Sequence, residues 1–376
     1  MGSYDPMPSR TALEDAHETS EAHDGQREVK YPFAFKNLDW DDYHRYRPRY
    51  PDSMLKQWMS YHRLHGGDFD CAHDMGAGPG TLASRLAPLF TNMIISDAGA
   101  ANIRSAKANL ASPSNKPTKF TFLHTPAEQS HATLPPASVD FVSVGMAFHY
   151  FDAPLAIRSI ATMLKPGGTL AAATYGFRLR FPGRPALERL WFAAASKESL
   201  RLIREGALFP AAVKGLAAAM AGLDFVELPE AWFEVGATRV LVNGDGMDEG
   251  EEEKEGDDDE DDDEEMQQAR STKNGSNGPG PLAFVEEDAC WEPSVRRVGP
   301  ADVCKRTRDA GWRREADCAW LRGFLASCQM GFGQRTWETT EWRMLEEIVR
   351  SAEGGRVLVE WPVAMILATR NARPVV

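Results

Sequence analysis

The sequence predicts an α/β protein, a mostly parallel central sheet flanked by helices, with a helical covering region and an acidic insertion in its second half. Three observations predict the sheet. Short apolar runs, "MIIS" at 93–96, "FTFL" at 120–123, "VDFVSV" at 139–144 and "TLAAAT" at 169–174, alternate with helical patterns, and strands separated by helices pair in parallel with the helices on both faces. "LKPGG" at 164–168 reads as a helix end and a turn into the last of these strands, because proline and paired glycines stop a helix. "DMGAGPGTLA" at 74–83 lies between the short run "FDCAHDM" and Leu82, Leu86 and Leu89, which recur at helical spacing. It is therefore a strand-to-helix turn.

The remaining segments follow from composition. Residues 1–30 are polar and aperiodic, the pattern of a disordered leader. Residues 31–180 hold the alternating pattern and form the core. Residues 181–242 contain the apolar helical stretch "PALERLWFAAASKESLRLI" and read as a helical cap over a substrate. Residues 243–282 are glycine, acid, serine and asparagine, from which no core can be built, so they read as a tether. Residues 283–376 complete the substrate region and end in "RVLVEWPVAMILATR", long enough for one strand or a bent pair added to the sheet.

The formal charge of -13 over 376 residues is concentrated between Asp245 and Glu265, where sixteen acids face one lysine. The rest of the chain is nearly neutral and lacks the basic footprint of a nucleic-acid binder. Five cysteines without a Cys-x-x-Cys pair indicate neither a disulfide framework nor a zinc ribbon, and no metal ligands cluster. The longest apolar stretch, "FPAAVKGLAAAMAGL", is broken by Lys214 and too short to span a bilayer. A cytoplasmic chain with a small-molecule substrate is expected, with no nucleic-acid or membrane partner. The pattern sets no oligomeric state.

Glycine at 76, 78 and 80 removes every second side chain, so a ligand can rest on bare backbone near a helix start. A dinucleotide loop reads G-x-G-x-x-G; here the spacing is G-x-G-x-G, with threonine at 81 and Asp74 two residues ahead of the first glycine. A carboxylate there would repel a pyrophosphate but suits a ligand carrying an ammonium or a sulfonium. Asp97 ends "NMIISD", where an acid at the end of the second strand reaches ribose hydroxyls. Together these features point to S-adenosylmethionine.

In order and spacing, "DMGAGPG", "SDAGAANIRSA", "TPAEQ", "SVDFVSVGMAFHYFD" and "LKPGG" resemble class I S-adenosylmethionine-dependent methyltransferases, which have a Rossmann-like fold. With "YHRYRPRYP" upstream the chain is similar to the trans-aconitate methyltransferase-like branch. The resemblance implies cofactor contacts at Asp74, Gly76, Gly78 and Gly80 with the methionine moiety, Asp97 with the ribose, Ala127 and Glu128 beside the adenine, and Tyr43 and Arg47 from the N-terminal segment. Departures from the family pattern fall at Asp70, His73, Gly99, Thr125 and Pro126.

Methyl transfer from a sulfonium is an in-line displacement, so the protein chiefly aligns the reactants and excludes water. "GMAFHYFD" at the end of the fourth strand supplies His149, a candidate base or substrate hydrogen bond, with Asp152 as a helix cap. Trp191, Phe192, Trp320 and Phe324 fit a pocket wall or, more simply, the core. No Asn/Asp-Pro-Pro-Tyr sequence marks base methylation. The expected activity is O-methylation of a carboxylate or hydroxyl on a small organic acid or secondary metabolite; the other class weighed is a methyltransferase-like regulator acting through protein partners.

Overall fold

The computed structural model describes residues 40–111, 118–176, 178–205, 219, 222–244, 297–328 and 331–372. The expected leader and nearly all of the acidic insertion lie outside the described residues.

The chain opens with helices α1 (Trp40–Tyr46) and α2 (Asp52–Leu64), then alternates through β1 (Cys71–Met75), α3 (Thr81–Leu86), β2 (Asn92–Asp97), α4 (Ala100–Leu110), β3 (Lys119–His124), β4 (Val139–Gly145), α5 (Ala153–Met163) and β5 (Leu164–Tyr175). The second half contributes α6 (Pro185–Arg204), β6 (Thr238–Val242), β7 (Val303–Thr307), β8 (Arg313–Ala316), α7 (Cys318–Ala326), α8 (Gln334–Trp337), α9 (Thr340–Ser351), β9 (Val357–Glu360) and β10 (Val363–Thr369). Eight strands form one sheet in the order β3-β2-β1-β4-β5-β10-β6-β7. Only β10 runs antiparallel to its neighbours, β5 and β6. This is a Rossmann-like fold.

The centre of the sheet reads as continuous apolar sequence because both faces are covered: β4 is buried from Val139 to Val144. Trp58, Phe90 and Phe141 pack on one side, and Phe148, Ile157 and Ile160 on the other. Asp152 caps α5, accepting from the Leu155 N–H at 3.2 Å.

Three expectations are adjusted. The helix before "LKPGG" stops at Met163, and Leu164 is already extended and paired with Val139; the turn is a left-handed Gly167, at φ 79°, inside the bounds of β5. Its amide bonds to the Arg370 carbonyl at 2.8 Å, so pairing with the chain's last strand, invisible locally, extends the strand. The region 181–242 carries α6 but ends in β6, an inner strand of the sheet. The closing run is a bent pair: β9 joins β8 in a separate two-stranded sheet, and after Trp361 and Pro362 β10 enters the main one. Trp191, Trp320 and Phe324 are core residues, joined with Trp342 and Trp361 in one aromatic cluster.

Candidate active site

Strand ends build the site. The turns after β1, β2, β4 and β5 open on a cavity of about 550 Å³, where a parallel sheet conventionally receives its ligand. Gly76, Gly78 and Gly80 hold φ of 65°, 56° and 82°, the left-handed region that disfavours side chains. A Cβ on Gly76 would lie 2.6 Å from that of Ala147, so the first glycine lets two strand ends approach.

Asp97 fastens the turn. Its Oδ2 accepts from the Gly78 N–H at 2.9 Å, and its Oδ1 accepts from the Gly99 N–H at 2.8 Å and from Asn102 Nδ2 at 2.9 Å. Burial pushes its pKa up while these donors pull it down. Asp74 is less satisfied. Its Oδ1 accepts from Ser143 Oγ at 2.7 Å, but its buried Oδ2 has no partner. Burial raises this carboxyl to about 7, against the pull of Ser143 and of the Ala83 backbone N–H.

His149 sits on a short 3₁₀ turn, Phe148–Tyr150, and is 7% exposed, with its Nδ1 buried and unpartnered. Burial, then the nearby Arg47 charge, lowers its pKa to about 3, so the imidazole is neutral across the physiological range and a weak base. Arg47, just after α1, is 9% exposed. One guanidinium nitrogen donates to the Ser327 carbonyl at 2.9 Å, and the group lies 5.1 Å from the Tyr43 ring and 5.5 Å from Phe324. Its Nε has no partner, and among the described residues no carboxylate pairs with it.

Tyr43, Arg47, Asp74, Gly76, Gly78, Gly80, Asp97, Ala127 and His149 therefore share one cavity. Glu128 is not among the lining residues; its Oε1 accepts from the Asp152 N–H at 2.8 Å, tying two turns together, while its Oε2 is buried and unpartnered. Sequence reasoning missed Tyr50, Met146, Tyr175 and Cys328, which also line the cavity. Met146 adopts φ 54° and its sulfur accepts from the Tyr175 N–H at 3.0 Å. Tyr50 was within reach in "YRPRYP", and Tyr175 as the residue closing an apolar strand. Cys328, just past α7, has no local signature.

An orphaned buried carboxylate oxygen beside a backbone cradle fits a cofactor with a cationic methionine end. The sequence comparisons agree. Residues 73–172 match the methyltransferase domain family. The chain is 29% identical over 341 residues to Methyltransferase tpcM of Aspergillus fumigatus, covering 90% of this chain and 93% of that protein. It is 29% identical over 334 residues to Methyltransferase gedG of Aspergillus terreus, covering 88% and 91%. A putative type II methyltransferase structure from Anaeromyxobacter dehalogenans aligns with a TM-score of 0.49 at 17% identity, over 86% of this chain and 97% of that one. Fold and domain match define a class I S-adenosylmethionine-dependent methyltransferase. Its cofactor is S-adenosylmethionine. Among the described residues no helix is long and apolar enough to cross a membrane, and no three His, Cys, Asp or Glu side chains gather as a metal site would require.

Proposed function

We propose that this enzyme methylates an oxygen of a small organic acid of secondary metabolism, and that the acceptor oxygen belongs to a carboxylate. The observation that carries this reading is Arg47, a buried guanidinium lining the cavity with which, among the described residues, no carboxylate pairs. A buried unpaired charge is costly unless a ligand completes it, and a carboxylate is the group that matches a guanidinium best. His149 supports the same reading. With its pKa near 3 it is poorly suited to take a proton from an alcohol or phenol, whereas a carboxylic acid is already ionised at neutral pH. The resemblance of "YHRYRPRYP" to the trans-aconitate methyltransferase-like branch, which acts on a carboxylic acid, points the same way.

S-adenosylmethionine, when bound, supplies an electrophilic methyl group. In this reading the glycine turn and the Asp74 Oδ2 hold its methionine end, Asp97 its ribose and Ala127 its adenine. Arg47 and Tyr43 fix an anion, His149 donates or accepts one hydrogen bond as a neutral imidazole, and the buried tyrosines exclude water.

The test is product chemistry with one variant. The product is expected to gain one methyl group by mass spectrometry and to lose it under mild alkali, as an ester does. His149→Asn, which keeps a hydrogen-bonding group, is expected to hold turnover within about tenfold of wild type, and the wild-type rate to stay level as pH falls through the ordinary histidine range near 6.5. An alkali-stable ether, with a loss of about 10²-fold or more in His149→Asn, would instead establish a hydroxyl acceptor with His149 as its base.

A further inference from the structure

Helix α1 carries Tyr43, His44 and Arg47 to the cavity, yet it lies outside the sheet and must be positioned by something else. On one side it reaches the glycine turn: His44 Nε2 is 2.8 Å from Thr81 Oγ1, and the Trp40 ring lies 3.5 Å from where a Cβ on Gly78 would stand. On the other it meets α7, some 280 residues later in the chain. Arg47 donates to the Ser327 carbonyl at 2.9 Å and its guanidinium lies 5.5 Å from the Phe324 ring. Between them stands Gly323, inside α7. A Cβ built there would fall 2.2, 2.3 and 2.4 Å from three atoms of the Tyr46 ring.

Gly323 is not a conformational requirement. It continues the helix, its carbonyl accepting from the Ser327 N–H at 2.9 Å, and glycine in a helix interior is unfavourable relative to alanine. Its missing side chain is therefore explained by what occupies the space.

We propose that Gly323 is a positioning residue: the notch it leaves in α7 seats the Tyr46 ring and so fixes α1, with Tyr43 and Arg47, over the ligand cavity. The C-terminal half of the chain thereby sets the geometry of a binding segment that belongs to the N-terminal half. The part concerning ligand affinity rests on the proposed roles of Tyr43 and Arg47; the part concerning α1 itself does not.

The test compares Gly323→Ala, Tyr46→Ala and the double variant in the full chain. By hydrogen exchange without ligand, each single variant is expected to speed exchange of the α1 amides about tenfold or more while β1 and β4 stay protected. Melting temperature in Gly323→Ala should hold or rise, since alanine favours the helix. Cofactor dissociation constants by calorimetry should rise about tenfold as the segment loosens. The double variant should match Tyr46→Ala alone, because the ring atoms the methyl would strike are then gone. Wild-type exchange of α1 in either single variant would overturn the proposal, as would a further loss from adding Gly323→Ala to Tyr46→Ala. Faster exchange with unchanged affinity for both cofactor and acceptor would uphold the notch and overturn the binding roles of Tyr43 and Arg47.

Discussion

The ligand cavity and the closing half of the sheet treat buried charge differently. In the half that closes the sheet, four buried carboxylates are each held by an arginine: Asp302 by Arg239 at 2.5 Å, Glu360 by Arg313 at 2.6 Å, Glu346 by Arg350 at 2.7 Å, and Glu198 by Arg201 and, at 2.8 Å, by Thr336. In the half that carries the glycine turn, Arg47 Nε, Asp74 Oδ2 and His149 Nδ1 are buried without partners, all on one cavity. An unsatisfied buried group costs about 1–3 kcal/mol, so three at one place are a local sacrifice of stability. The glycine-turn half thus retains unspent polar capacity for a ligand.

Disturbing the paired half should have the largest effect. Asp302→Ala leaves Arg239, itself buried, without its carboxylate. Breaking a buried pair from one side costs about 3–5 kcal/mol, to be read by denaturant unfolding, with cofactor affinity per folded molecule unchanged. A loss below about 1 kcal/mol would erase the contrast between the halves.

The unpaired half should respond in the opposite sense. Asp74 is raised to about 7 in the folded chain against 3.8 unfolded. The folded state thus holds the extra proton between those values, and stability declines as pH rises through that window. Asp74→Asn removes this cost and is expected to stabilise the ligand-free protein at pH 8 by about 1–3 kcal/mol, while weakening S-adenosylmethionine binding by a similar amount. A variant that loses both stability and affinity would make Asp74 a structural residue.

A smaller effect sharpens the same point in the wild type. A cationic ligand favours the ionised Asp74, so cofactor affinity should be level above pH 7 and fall about tenfold per pH unit below it, about 1.4 kcal/mol each. Calorimetry in buffers of different ionisation enthalpy should show a proton released on binding near pH 6. A flat profile between pH 5 and pH 8 would separate Asp74 from the cation.

What the sequence disclosed divides along the same line. β2, β3, β4 and the end of β5 were legible because each is a short apolar run with its own turn signals, and the glycine turn, Asp74, Asp97 and His149 were legible because strand-end chemistry is local. The role of Glu128 was less legible, because one of its carboxylate oxygens accepts from the backbone N–H of Asp152, a partner no local pattern announces. The strands β6 and β7 escaped notice because they pair across some sixty residues, with Thr238 opposite Val303, and neither sequence announces its partner. Gly323 is site-related only through α1, and Cys328 reaches the cavity from just past α7; no periodicity encodes either contact.

The pairing of β6 with β7 limits how the gene can drift. The two strands run the same way, from Thr238 beside Val303 to Val242 beside Thr307. Whatever joins them must travel back along the strand, about 17 Å at ~3.3 Å per residue, and a parallel pair needs a crossover of roughly a dozen residues or more. Lengthening is nearly free, because closure entropy grows by only about 0.6 kcal/mol for each doubling. The acidic stretch therefore occupies a position with a floor and no ceiling. Its composition and length are open to change by duplication or repeat expansion, whereas a deletion that left only a tight turn would force the strands antiparallel and cost the sheet its edge.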